Sequence, residues 1–104
     1  MDRIAQLKAF LDKSPDDAFL QHALALEYIK LGDDVTARAL FETVLAQHED
    51  YVGSYYHLAK LLERTGERDA AVAVYEKGLA RTKALGERHA YNELLAAYED
   101  FMDY

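Results

Sequence analysis

The sequence predicts an all-α repeat protein of about six helices. Three observations predict it. Apolar residues recur at helical spacing along the whole chain, no useful stretch alternates with period two, and the chain repeats itself at a shift of 34 residues.

The elements follow in order. Ile4, Leu7, Phe10 and Leu11 make one apolar stripe over a first helix of about residues 2–13. Ser14-Pro15 ends it, because proline lacks a donor and pushes its predecessor out of the α region. Asp16 or Asp17 is positioned to cap a second helix, in which Phe19, Leu20, Ala23, Leu24, Leu26, Tyr28 and Leu31 wrap more than one face. Gly32 follows where a left-handed residue commonly ends a helix. Val35, Ala37, Leu40, Phe41, Val44 and Leu45 mark a third helix, closed by the polar run Gln47 to Asp50. Tyr55, Leu58, Ala59, Leu61 and Leu62 mark a fourth, ended by Gly66. Ala70, Ala71, Val74, Tyr75 and Leu79 mark a fifth, and Gly86 separates it from a sixth with Tyr91, Leu94, Leu95, Tyr98 and Met102.

Composition bounds the function. At ~100–200 residues per domain, 104 residues make one domain, expected to span 1–104. Half the chain is apolar (51%), too rich for disorder. There is no Cys, so disulfides, thiolate zinc sites and cysteine nucleophiles are excluded. A net charge of −7 argues against nucleic acid and anionic membranes as partners. No apolar run approaches the ~20 residues of a membrane span, and Met1-Asp2-Arg3 opens no signal peptide. We expect a soluble, cytoplasmic protein, and the starting Met with two half-repeat ends favours a complete chain.

Pairing residues 18–51 with 52–85 leaves eight identities: Leu24/Leu58, Ala25/Ala59, Gly32/Gly66, Ala37/Ala71, Ala39/Ala73, Glu42/Glu76, Leu45/Leu79 and Ala46/Ala80. The segments Leu24-Ala25 with Tyr28, Tyr55 with Leu58-Ala59 and Leu62, Ala37 with Phe41, and Ala71 with Tyr75 resemble the tetratricopeptide repeat family. The chain departs from its pattern in places. Gln21 replaces a large aromatic, Val44 and Gly78 replace a small Ala, and Glu49 and Lys83 replace a closing Pro, which Pro15 supplies one register earlier. The resemblance implies a right-handed α-solenoid of antiparallel helix pairs. It is divided into a half-repeat helix (2–13), two repeats (18–51 and 52–85) and a capping helix (87–103), with one or two residues inserted near Gly86. Ala25, Ala59, Ala37 and Ala71 would let paired helices approach closely, and Phe41 and Tyr75 would fill the gap to the next repeat.

No catalytic constellation has adequate spacing, so no enzyme activity and no cofactor is expected. The paired carboxylates (Asp16/Asp17, Asp33/Asp34, Glu49/Asp50, Glu99/Asp100) fall at helix ends or on polar faces. The family resemblance implies that first helices line a concave groove. The inner positions are then Phe19, His22, Leu26, Ile29 and Lys30 on one helix and Gly53, Tyr56, His57, Lys60, Glu63 and Arg64 on the next. The last helix adds His89, Asn92, Glu93 and Ala96. That mix suits an extended peptide or a partner helix with an apolar anchor, with Lys60 and Arg64 orienting an acidic group. The plain alternative is that Phe19, Leu26 and Ile29 are packing surface. A carboxylate clamp is not expected, since His22, Leu26, His57 and Gly53 stand where Lys, Asn and Arg would be needed.

Two other readings stay open. Exposed array ends invite self-association as a homodimer or larger homo-oligomer. His22, His57 and His89 on one face would bind zinc or copper if their rings converged, whereas His48 is expected on the outside. At the C-terminus the last helix is expected to cap the array with Leu94, Leu95 and Tyr98 inward; alternatively Phe101 and Tyr104 protrude toward a partner.

Overall fold

The computed structural model describes residues 2–103. Its helices are α1 (Arg3–Lys13), α2 (Ala18–Lys30), α3 (Asp34–Gln47), α4 (Gly53–Arg64), α5 (Arg68–Leu85) and α6 (Arg88–Met102). No strand occurs among the described residues. The chain divides into two units, Met1–His48 and Glu49–Tyr104.

In the first unit α1 packs on α2 and α2 on α3. Each helix starts on an aspartate that meets an otherwise orphaned backbone donor. Asp2 accepts from Ala5 N (3.2 Å), Asp17 from Leu20 N (3.0 Å) and Asp33 from Thr36 N (3.1 Å). Asp17, not Asp16, is therefore the cap of α2. The turn from α2 to α3 needs one left-handed residue, and Gly32 supplies it at φ +79°. Its N–H then donates to Ile29 O, and Asp33 N to Tyr28 O, both at 2.9 Å, which closes the helix end. Asp33 goes on to cap α3, so a single residue ends one helix and starts the next. Leu7, Leu24, Ala25, Ala37, Phe41, Val44 and Leu45 form the core. The two alanines are wholly buried, as the expected close helix approach requires.

The second unit repeats the plan with α4 against α5, and α6 against both. Gly66 takes the left-handed position, with Glu67 N donating to Leu62 O at 2.9 Å. Tyr55, Leu58, Ala59, Leu61, Leu62, Ala71, Tyr75 and Leu94 are buried. α5 has 18 residues against 14 in α3. The added turn carries Thr82, which is buried and donates to Gly78 O at 2.8 Å. Beyond that turn α6 matches α4 at a shift of 36 rather than 34, pairing Tyr55 with Tyr91, Leu58 with Leu94 and Leu62 with Tyr98. This is the insertion anticipated near Gly86.

One expectation and one alternative are corrected. His48 does not stand outside: it is the half-buried C-cap of α3, and its Nε2 lies 2.7 Å from Asp16 O. The exposed carbonyl of the α1–α2 turn gives the ring a polar partner. Phe101 does not protrude. Its ring centroid lies 6.1 Å from that of Tyr75, and the Arg68 guanidinium lies over the ring, 4.9 Å from its centroid. Tyr104 lies outside the described residues. The inward reading of α6 holds for Leu94, which is buried, and for Tyr98, which is half-buried on the Tyr75 ring (5.7 Å).

Candidate functional site

The candidate residues fall on two faces, one in each unit. On α2, Phe19 is 60% exposed, while His22, Leu26 and Ile29 are half-buried. The His22 ring is set by an edge contact to buried Phe41, with centroids 5.5 Å apart at 65°. Lys30 is exposed and pairs with Glu27 at 2.9 Å, a surface ion pair of little energetic weight.

The second face belongs to α4 and α6. Leu58, Ala59, Leu61 and Leu62 turn into the core, which leaves Tyr56, His57 and Lys60 half-buried. Tyr56 and His57 meet edge to face, with centroids 5.5 Å apart at 88°. Burial pushes the His57 imidazole below its ordinary pKa, and the negative charge of Glu93 on α6 partly opposes this. The ring is therefore held toward its neutral form beside an aromatic one. Lys60 lies 3.4 Å from Glu63. Arg64 and Asn92 are exposed.

Glu63 is more deeply committed than its place on a polar helix face suggests. Its carboxylate accepts from the hydroxyl of Tyr75, a ring with no exposed surface. Burial first, then this bond, drives the Tyr75 phenol far above its ordinary pKa. Glu63 thus ties α4 to α5. The sequence held a weak signal for this: a tyrosine at the position where the first repeat has Phe41 brings a hydroxyl that must find a partner.

A second tie was also missed. Gln21 Nε2 donates to Pro15 O at 2.8 Å, and Tyr55 OH donates to Glu49 O at 2.7 Å. Donors and acceptors are each 34 residues apart. Gln21 therefore stands in for an aromatic by making the same bond, although its Oε1 is left buried without a hydrogen-bond partner.

Among the described residues no group of three His, Cys, Asp or Glu side chains could hold a metal ion. His22, His57 and His89 are thus not gathered into a metal site. No helix of the described residues is long and apolar enough to cross a membrane.

The helix pairs, the left-handed Gly32 and Gly66, and the buried alanines recur in register, and a family model described as tetratricopeptide repeat matches residues 28–98, more than half the chain. The chain belongs to the tetratricopeptide repeat family. A tetratricopeptide repeat-containing protein of Pseudomonas aeruginosa is 28% identical over 91 residues, covering 88% of this chain and 87% of that one. The crystal structure of a tetratricopeptide repeat domain protein of Salinibacter ruber superposes with a TM-score of 0.79 at 37% identity, over 84% of this chain and 97% of that one. A solution structure of a Bordetella parapertussis protein gives 0.84 at 22% identity, over 99% and 90% of the two chains, which speaks for the fold alone. Both the all-α tetratricopeptide class and the family resemblance are thereby established. The tetratricopeptide family is known as a scaffold for protein–protein interaction, and membership supports that general role for this chain.

Proposed function

We propose that this chain is a non-enzymatic interaction module that captures a peptide segment or partner helix on the face formed by α4 and α6. Tyr56 is the anchor, His57 and Asn92 flank it, and Lys60 with Arg64 orients an acidic group of the partner. One observation carries the reading. Tyr56 and His57 form an aromatic pair that the core leaves half-open, on a helix whose other large apolar side chains are fully used. Half-exposed rings beside charged groups are the composition of a binding hot spot. On this reading Glu63 positions Lys60 and does not itself meet the partner. The α2 residues Phe19, His22, Leu26, Ile29 and Lys30 are proposed as a second contact patch on their own unit.

The test compares wild type with Tyr56→Ala/Lys60→Glu as baits in native lysate, read by mass spectrometry, with helical signal and melting temperature as controls. A partner held by wild type and lost from a folded variant supports the face. Equal capture by both baits overturns it.

A further inference from the structure

The end of α6 rests on the start of α5. Arg68 opens α5 and Met102 closes α6. The Arg68 guanidinium that covers the Phe101 ring also donates from Nη2 to the Met102 Sδ at 3.7 Å. A thioether sulfur is a weak acceptor, so a strong donor is aimed at a group that answers it poorly. The last turn of α6 holds Glu99 and Asp100 and no basic residue of its own. Carboxylates at that end oppose the helix dipole. Arg68 therefore brings a cation from the neighbouring helix to a negative helix end, where a ring and a sulfur receive it.

The sulfur is also reachable. Met102 is 40% exposed and borders an open cleft of about 570 Å³ with Tyr98, Glu99 and Asp103. A small oxidant can approach it there, and an oxygen added to an exposed methionine costs no core packing.

We propose that Met102 is a reversible oxidation site, and that Arg68 holds its sulfoxide as a latch between α6 and α5. The oxidant is hydrogen peroxide. The sulfur attacks one peroxide oxygen, and the S–O bond forms as the O–O bond breaks. The thioether gives up two electrons, and the other oxygen leaves as water after taking the proton of the new S–OH group. The sulfoxide oxygen is a strong acceptor carrying partial negative charge. Bent toward Arg68, it comes within the ~2.8 Å of a charge-assisted bond while the sulfur stays 3.7 Å from the guanidinium. A sulfoxide inside a core loosens the fold, but here the new dipole meets a cation already in place. Thiol-driven reduction by a methionine sulfoxide reductase restores the thioether and opens the latch. The latch needs no partner on the face around Tyr56.

Amide hydrogen exchange over residues 99–102, followed by NMR before and after brief treatment with hydrogen peroxide, tests this. Mass spectrometry counts the oxygen on the Met102 peptide. In wild type, oxidation should slow exchange in the last turn of α6 by about tenfold, the weight of one hydrogen bond to a charged group. A methionine sulfoxide reductase with dithiothreitol should restore the faster rate. Arg68→Leu, at an exposed position, should fold and take up the oxygen but lose the slowing. Met102→Leu should show no response to peroxide, which separates Met102 from Met1. Equal slowing in Arg68→Leu overturns the latch, and so does an oxidised wild type that exchanges as fast as the reduced protein or faster. A Met102 left unoxidised by peroxide that consumes N-acetylmethionine amide in the same solution overturns the site.

Discussion

The two units solve one set of packing problems with different side chains. The bond from the first helix to the carbonyl ahead of it comes from Gln21 in the first unit and Tyr55 in the second. The second helix answers in volume: Val44 is buried where the chain has the smaller residue, and Gly78 where it has the larger. The large core ring is Phe41 in one unit, edge-on to His22, and Tyr75 in the other, with its hydroxyl on Glu63. Residues at the end of the second helix reach the turn before the first through His48 and the Asp16 carbonyl, or through Arg81 and the Asp50 carboxylate at 2.5 Å. The repeat register therefore fixes which job is done at each position. It does not fix the residue that does it.

Exchanging residues between the units breaks this comparison most sharply. Val44→Gly gives the first unit the residue of the second without the large ring that justifies it. The lost packing and the helix glycine together should cost about 2–4 kcal/mol, read by chemical denaturation. Gly78→Ala should cost about 1–3 kcal/mol despite the better helix propensity of alanine, because its Cβ would lie 2.8 Å and 2.9 Å from the Cβ and Cγ of Tyr55. Tyr55→Gln combined with Gly78→Val installs the first unit's pair, and a double-mutant cycle should show the two changes costing less together than their sum. Additive costs would mean that the two positions are not coupled in volume.

Tyr75→Phe makes the second ring like the first. Removing a hydrogen bond to a carboxylate should cost about 1–3 kcal/mol, whereas Phe41→Leu in the first unit leaves no polar group behind. A smaller effect concerns pH. Burial holds the His57 pKa below its ordinary value, so the folded protein binds that proton less readily than the unfolded chain. Its contribution is complete above the unfolded pKa and is lost as pH falls toward the folded one. The melting temperature should thus drop from about pH 7 to about pH 5 more in wild type than in His57→Gln. The smallest change is expected from Arg81→Ala. Its ion pair with Asp50 is partly solvated, and the difference from wild type should vanish at high salt.

The helices, their caps and the core alanines were legible because each depends on local spacing and on the repeat. The ties between helices were not. Nothing near Glu63 in the sequence points to a hydroxyl twelve residues away on another helix. Gln21 reads as a departure from the family until its bond to Pro15 O is seen beside that of Tyr55. His48 reads as a solvated helix end because its partner is a backbone carbonyl 32 residues earlier. Of the residues that the family resemblance implied for the groove, Tyr56, His57 and Lys60 lie half-buried on α4, while the Glu63 carboxylate accepts from the Tyr75 hydroxyl, a bond that resemblance alone does not show.

The buried phenols also give the molecule a built-in optical probe. The chain has eight tyrosines and no tryptophan, so its near-ultraviolet signal comes from phenol rings. Tyr55 and Tyr75 are both raised above the ordinary phenol pKa, chiefly by burial. Their protons leave the unfolded chain more easily than the folded one, so stability present below the unfolded phenol pKa drains away as pH climbs beyond it. In an alkaline titration the absorbance of phenolate from Tyr55 and Tyr75 should therefore grow only as the helical signal is lost.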